Sequence, residues 1–347
     1  MDDPADRGSI PTDDGATTVR VTQHGKTWKR FRRNPLAITG AVIVIVYALV
    51  ALFAPQLTVR QLEYFRNNCV RDLGLGRDSI GDIVNPTKVA FWRAMVVPPQ
   101  SCFSIPRVSF SSVPIPRSDT LWLGASSGGY DIYYGLIWGT RAAFYVGVLV
   151  VGVGLLAGAI VGSVAGYLGG WVDGVLMRLV DIVFSMPSLV IAIVIVTILG
   201  QSLTNVMIAI MAVQWAPYAR ILRGDILAIK ERDYVDGARA LGAGGPRVVT
   251  RHILPNSLGP LVVIASLDIG SVVLTAAALS FLGLGAPVGY ADWGQMINFA
   301  RDWIQGTPGH PFAFWFVSVY PGIVIVLFVL GWNLLGDAVR DVLDVRS

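Results

Sequence analysis

Four stretches of this chain carry no Asp, Glu, Lys or Arg: 36–59, 142–172, 182–219 and 303–336. A helix needs about 20 apolar residues to cross the hydrocarbon core of a bilayer. A helix buried in a soluble protein rarely runs that far without a polar face. Only 14% of the 347 residues are charged, against about 25% in soluble domains. So few charges cannot cover a large aqueous surface, and the chain reads as an all-α integral membrane protein.

The pattern predicts six transmembrane helices, roughly 36–55, 140–167, 177–200, 204–224, 257–284 and 314–336. Lys26, Lys29, Arg30, Arg32 and Arg33 stand directly before the first span and hold the N-terminus in the cytoplasm. Six crossings make both termini cytoplasmic. They also place inside the loop 225–256, which carries Lys230, Arg232, Arg239, Arg247 and Arg251. Trp138, Trp293, Trp303 and Trp315 are expected at the outer boundary as an aromatic belt. The net charge of +4 sits beside these segments, so orientation in lipid accounts for it and no nucleic-acid partner is implied. The chain divides into a disordered cytoplasmic tail (1–25), a juxtamembrane segment with the first helix (26–55), an extracytoplasmic insert (56–137), a transmembrane core (138–336) and a cytoplasmic C-terminal tail (337–347).

Within the second span Gly154, Gly158, Gly162 and Gly166 recur every four residues. They form a flat ridge on which another helix can lie closely. Gly152-Val153-Gly154 also opens a dinucleotide-type fingerprint, but no strand precedes it and its surroundings are apolar. The insert is long for a connection, about 80 residues against a usual handful. It is proline-rich and holds both cysteines, Cys69 and Cys102. Disulfides persist on the outer side of a membrane, so a bond between them is expected there, with two free thiols as the alternative.

Enzyme chemistry is not apparent. Gly25-Lys26-Thr27 imitates the end of a P-loop, but Arg20 stands where its first glycine belongs. None of His24, His252 and His310 falls at a ligand spacing with cysteine or carboxylate, so no metal or cofactor site is expected. If the protein pumps, partner subunits bind the ATP and magnesium. One carboxylate, Asp268, lies about 15 Å into the fifth span at 1.5 Å per residue. A carboxylate at that depth faces a pore or an interhelical hydrogen-bonding partner.

The cytoplasmic loop is the most informative segment. Asp233-Tyr234-Val235-Asp236-Gly237-Ala238-Arg239-Ala240-Leu241-Gly242 is followed, nine residues on, by His252-Ile253-Leu254-Pro255-Asn256. This resembles the EAA loop of ATP-binding-cassette importer permeases: Glu-Ala-Ala, three residues, Gly, nine residues, Ile-x-Leu-Pro. Asp236, Gly237 and His252 depart from that pattern. Ala278-Leu279-Ser280-Phe281-Leu282-Gly283, Asp292-Trp293-Gly294-Gln295-Met296 and Asn333-Leu334-Leu335-Gly336-Asp337 are similar to the C-type permease of the dipeptide and oligopeptide branch, whose relatives also carry nickel complexes or glutathione. Thr275 and Ala276 stand where many members have an acid. The insert has no counterpart in this resemblance.

The resemblance implies a type I importer permease in a prokaryotic plasma membrane. Its partners would be a second six-span permease, two cytoplasmic ATPase subunits and an extracytoplasmic binding protein. It further implies that Asp233, Tyr234, Asp236, Gly237, Ala238, Leu241 and Gly242 couple pore to motor. Local signals agree: Asp233 is suited to cap a short helix, and Tyr234, Ala238 and Leu241 share a stripe. Gly242 then ends the helix cheaply. A secondary transporter would also explain six spans and Asp268, but not the spacing from 236 to 255. A receptor anchored in the membrane would place its function in 56–137.

Overall fold

A computed structural model describes residues 34–58, 69 and 99–343. The tail 1–25, the basic cluster Lys26–Arg33, residues 59–68 and 70–98 of the insert and the last four residues lie outside the described residues. The main helices are α1 (Pro35–Leu52), α2 (Ile132–Leu168), α3 (Gly170–Phe184), α4 (Ser188–Leu199), α5 (Leu203–Ile229), α6 (Asp233–Ala240), α7 (Leu254–Phe281), α8 (Trp293–Ala300) and α9 (Trp315–Leu343). Among the described residues there is no strand, only isolated bridges.

Four helices, α1, α2, α7 and α9, are long and apolar enough to cross a bilayer. By length and composition a fifth candidate appears if α3 and α4 are one broken span, for they meet at an 85° bend. Pro187 causes the break: its ring excludes the helical amide, and it disfavours helix in the residue before it. The expected fourth span, 204–224, lies within α5, which is long enough at 27 residues but contains Asn205, Gln214, Arg220 and Arg223. Its placement explains that polarity. The helix runs unbroken through Pro217, and much of one face is sealed against α2 rather than lipid.

That seal is the glycine ridge. A Cβ added to Gly158 would lie 2.5 Å from Tyr218 Cβ and 2.6 Å from the Trp215 carbonyl. The same atom on Gly162 would lie 2.6 Å from the Ala219 carbonyl. Lipid is as apolar as a side chain, so close van der Waals packing rather than hydrophobic burial drives this contact.

Two ion pairs fasten α3 to α5. Arg223 grips Asp173 through Nε at 2.5 Å and Nη2 at 2.6 Å, a two-pronged geometry that fixes orientation. Arg220 pairs with Asp181 and stacks over Phe184 at 4.3 Å. Asn34 Nδ2 donates to Asp341 Oδ2 at 3.1 Å, so the start of α1 and the end of α9 share one end of the bundle.

The opposite end is closed by residues 99–137 of the insert. Ile105 donates to the Gly289 carbonyl at 2.7 Å and Ala291 to that of Phe103 at 2.6 Å, which seats residues 103–105 along the segment before α8. Cys69 and Cys102 are joined by a disulfide with Cα atoms 4.5 Å apart, and both are fully buried. The Tyr134 hydroxyl donates to the Cys102 carbonyl at 2.8 Å. Two expected belt tryptophans are found here in the interior: Trp138 is 0% and Trp293 2% exposed. Trp138 Nε1 donates to Thr58 Oγ1 at 3.0 Å and Trp293 Nε1 to the Leu136 carbonyl at 3.1 Å. Each indole N–H has a protein partner, so neither needs the lipid headgroups. Trp315 alone of the four is well exposed, at 48%.

Asp131 caps α2, accepting from the Tyr134 amide at 3.2 Å, and its other oxygen is buried without a partner. Burial pushes its carboxyl up to about 6, against the opposing pull of the Tyr134 and Tyr133 amides. A raised folded value means that the folded cap holds its proton more tightly than the open one. The stabilisation is full below pH 4 and is lost as pH rises through about 6. Hydrogen exchange at residues 132–135, corrected for intrinsic rates, should show about tenfold greater protection at pH 5 than at pH 7. Asp131→Asn should remove the difference; equal protection in the unaltered protein would refute the assignment.

Candidate functional site

The loop between α5 and α7 folds as its spacing suggests, with one exception. Residues 233–240 form α6, and the Arg232 carbonyl accepts from both Val235 (2.8 Å) and Asp236 (3.3 Å). Arg232 therefore holds the cap position and Asp233 is the first helical residue. The carboxylates of Asp233 and Asp236 still lie in the first turn, where the helix dipole favours them. At the other end Ala243 donates to the Ala238 carbonyl at 3.1 Å while Gly242 takes φ +82°. That bond, closed over a left-handed glycine, is a Schellman ending.

What secures α6 was not visible in its sequence stripe. Tyr234 is 46% and Leu241 91% exposed, whereas Val235 is fully buried. Val235 packs with Leu222 and Ile226 of α5, Leu261 of α7, and Val248 and Ile253 of the connecting turns. It is the only β-branched apolar residue in the helix, which is the signal that could have singled it out. A Cβ on Gly237 would meet nothing within 4 Å. The helix thus turns Tyr234, Gly237 and Leu241 outward, held from behind by one apolar anchor. The following turn rests on α2, since a Cβ on Gly245 would lie 2.5 Å from the Tyr167 hydroxyl. These contacts join the segment 233–253 to α2, α5 and α7.

Asp268 is half-buried on α7. Its Oδ2 accepts from the Tyr218 hydroxyl at 2.7 Å and from Gln214 Nε2 at 2.9 Å, both on α5. Ser271 Oγ approaches Oδ1 at 3.4 Å. Gln214 and Tyr218 reach this position because their stems lie over Gly154 and Gly158 of the ridge. The network therefore joins α2, α5 and α7, and neither α5 residue was legible as a partner from spacing alone.

Two family models match the chain. Residues 154–347 match the binding-protein-dependent transport system inner membrane component, and residues 22–68 match the N-terminal transmembrane domain of oligopeptide transport permease C. Residues 69–153, with the disulfide, fall outside both. The chain is 34% identical over 338 residues to the dipeptide transport system permease protein DppC of Alkalihalophilus pseudofirmus, covering 97% of this chain and 94% of that one. It is 38% identical over 260 residues to the glutathione transport system permease protein GsiD of Pectobacterium atrosepticum, covering 74% and 82%. It is 32% identical over 314 residues to the probable D,D-dipeptide transport system permease protein DdpC of Escherichia coli, covering 90% and 89%. With its several apolar helices, the chain is a multi-pass membrane protein and belongs to the family of binding-protein-dependent transport system inner membrane components, as a permease subunit of an ABC importer.

Proposed function

We propose that the chain imports dipeptides or oligopeptides across a prokaryotic plasma membrane. In this reading it pairs with a second permease, takes cargo from an extracytoplasmic binding protein and is driven by two cytoplasmic ATPase subunits. Six crossings with both termini inside belong to the same proposal, α3–α4 being the broken third and α5 the fourth. The near-full-length likeness to a dipeptide permease carries the cargo assignment. The likeness to glutathione permeases supports glutathione, a modified tripeptide, as a second reading. The outward face of α6 supports a role in coupling, because Tyr234 and Leu241 are left exposed on a helix anchored from behind.

The test is reconstitution of the four kinds of subunit in vesicles. Uptake of a dipeptide that requires ATP and loaded binding protein is the expected result. Uptake of glutathione alone would select the second reading, and uptake without the ATPases would overturn both.

The Cys69–Cys102 bond should persist in native membranes, since a closure of 33 residues is worth about 3–4 kcal/mol in the chain-entropy model. Non-reducing peptide mapping is expected to recover the linked pair; recovery of two free thiols would refute the bond.

A further inference from the structure

Asp268 stands 11 residues beyond Ser257 in the apolar segment Ser257–Phe281. At 1.5 Å per residue that is about 16 Å in, near the middle of a hydrocarbon core about 30 Å thick. A carboxylate is kept there only with a partner or a watery path. Its two oxygens are unequally served. Oδ2 takes two good donors from α5, whereas Oδ1 receives only the long contact from Ser271. A carboxylate can accept about four hydrogen bonds, so Oδ1 has room for a strong donor. Among the described residues neither ion pair involves Asp268.

Ser271 and Thr275 follow Asp268 at three and seven residues, on the same face of α7. Ser271 is exposed and Thr275 half-exposed. This open side thus carries a carboxylate oxygen and two hydroxyls. Tyr218 and Gln214 meanwhile hold the carboxylate in one orientation.

We propose that Asp268 Oδ1, with Ser271 and Thr275, is a mid-membrane station for the ammonium group of the passing cargo. An ammonium presents three donors and no acceptor, which matches one carboxylate oxygen flanked by hydroxyls. A hard divalent cation would demand more oxygen ligands than this face offers. Among the described residues no ion pair brings a cation to this face, so an anionic group has no fixed partner there. The inference rests on the importer reading, since it requires that cargo pass this face.

The experiment is thiol labelling of Ser271→Cys in the complete complex in vesicles. Both native cysteines of this chain are joined to each other, so with partner subunits freed of reactive cysteines the new thiol is the target. With each rate divided by that reagent's rate with a free thiol in water, trimethylammonium-ethyl methanethiosulfonate should react about tenfold faster than its sulfonate counterpart, as a unit charge about 6 Å away implies in a water-like medium. Adding Asp268→Asn should bring the two rates within about twofold, and turnover with loaded binding protein should slow both. Equal rates with Asp268 intact would overturn the station. So would a thiol sealed from both reagents in every nucleotide state, which would mean that the second permease covers this face. Should Asp268→Asn fail to assemble, the comparison in Ser271→Cys alone still decides. A complex that shows the charge preference but imports no dipeptide would refute the cargo assignment and leave the cation site standing.

Discussion

Replacing Gly158 with valine is expected to abolish assembly of the permease. The Cβ would sit 2.5 Å from Tyr218 Cβ, 2.6 Å from the Trp215 carbonyl oxygen and 3.0 Å from the Ala219 amide. Two of those three atoms are backbone, so no rotamer change relieves the clash. Nor can α5 simply step back. It is tied to α3 through Arg223–Asp173 and to α7 through Tyr218 and Gln214 on Asp268. Overpacking a well-filled core costs about 1–3 kcal/mol and occasionally more; a clash with backbone on a doubly tethered helix belongs at or above the upper end. Gly152→Val supplies the control, because a Cβ there meets nothing within 4 Å. Gel filtration of the detergent-extracted complex should show loss of the intact species for Gly158→Val and retention for Gly152→Val. A Gly158→Val complex with unaltered yield and melting temperature would mean that the helices do not approach so closely.

The second large effect is expected at the end of α6. Gly242 has open space around it but a φ of +82°, so the cost of a side chain there is conformational. For a β-branched residue that cost is about 1–2 kcal/mol, and 1.4 kcal/mol is a factor of ten. Gly242→Val should therefore lower both uptake and binding-protein-stimulated ATP turnover about tenfold while the permease remains inserted. Asn tolerates the left-handed region, so Gly242→Asn should restore most of the activity. Ala238→Trp should have the same effect as valine for a different reason, by adding bulk between the outward residues Tyr234 and Leu241. Unaltered coupling in both Gly242→Val and Ala238→Trp would show that α6 does not transmit the stroke. Equal loss in Gly242→Val and Gly242→Asn would point to contact at this position rather than to backbone shape.

The positions of α1, α2 and α9 were legible in the chain because long runs without charge have no other stable home. The glycine ridge was legible too, as was the left-handed stop at Gly242, since both depend on residue types with unusual backbone freedom or no side chain. Partners were not. Nothing in the spacing of α5 tells that Gln214 and Tyr218 converge on Asp268, or that Arg223 reaches back to Asp173 across 50 residues. Belt and core tryptophans look alike in sequence.

Sequence alone determined that the chain crosses a membrane, where its glycines let helices touch, and which short helix the loop between α5 and α7 must form. Only the tertiary structure decided that Trp138 and Trp293 turn inward, that Val235 anchors α6 from behind while Tyr234 and Leu241 stay exposed, and that α5 is sheltered enough to keep its polar residues. The reason is physical. In water an apolar face marks the inside, but in lipid the outside is equally apolar, so the period of a helix shows its stripes without telling which of them is buried.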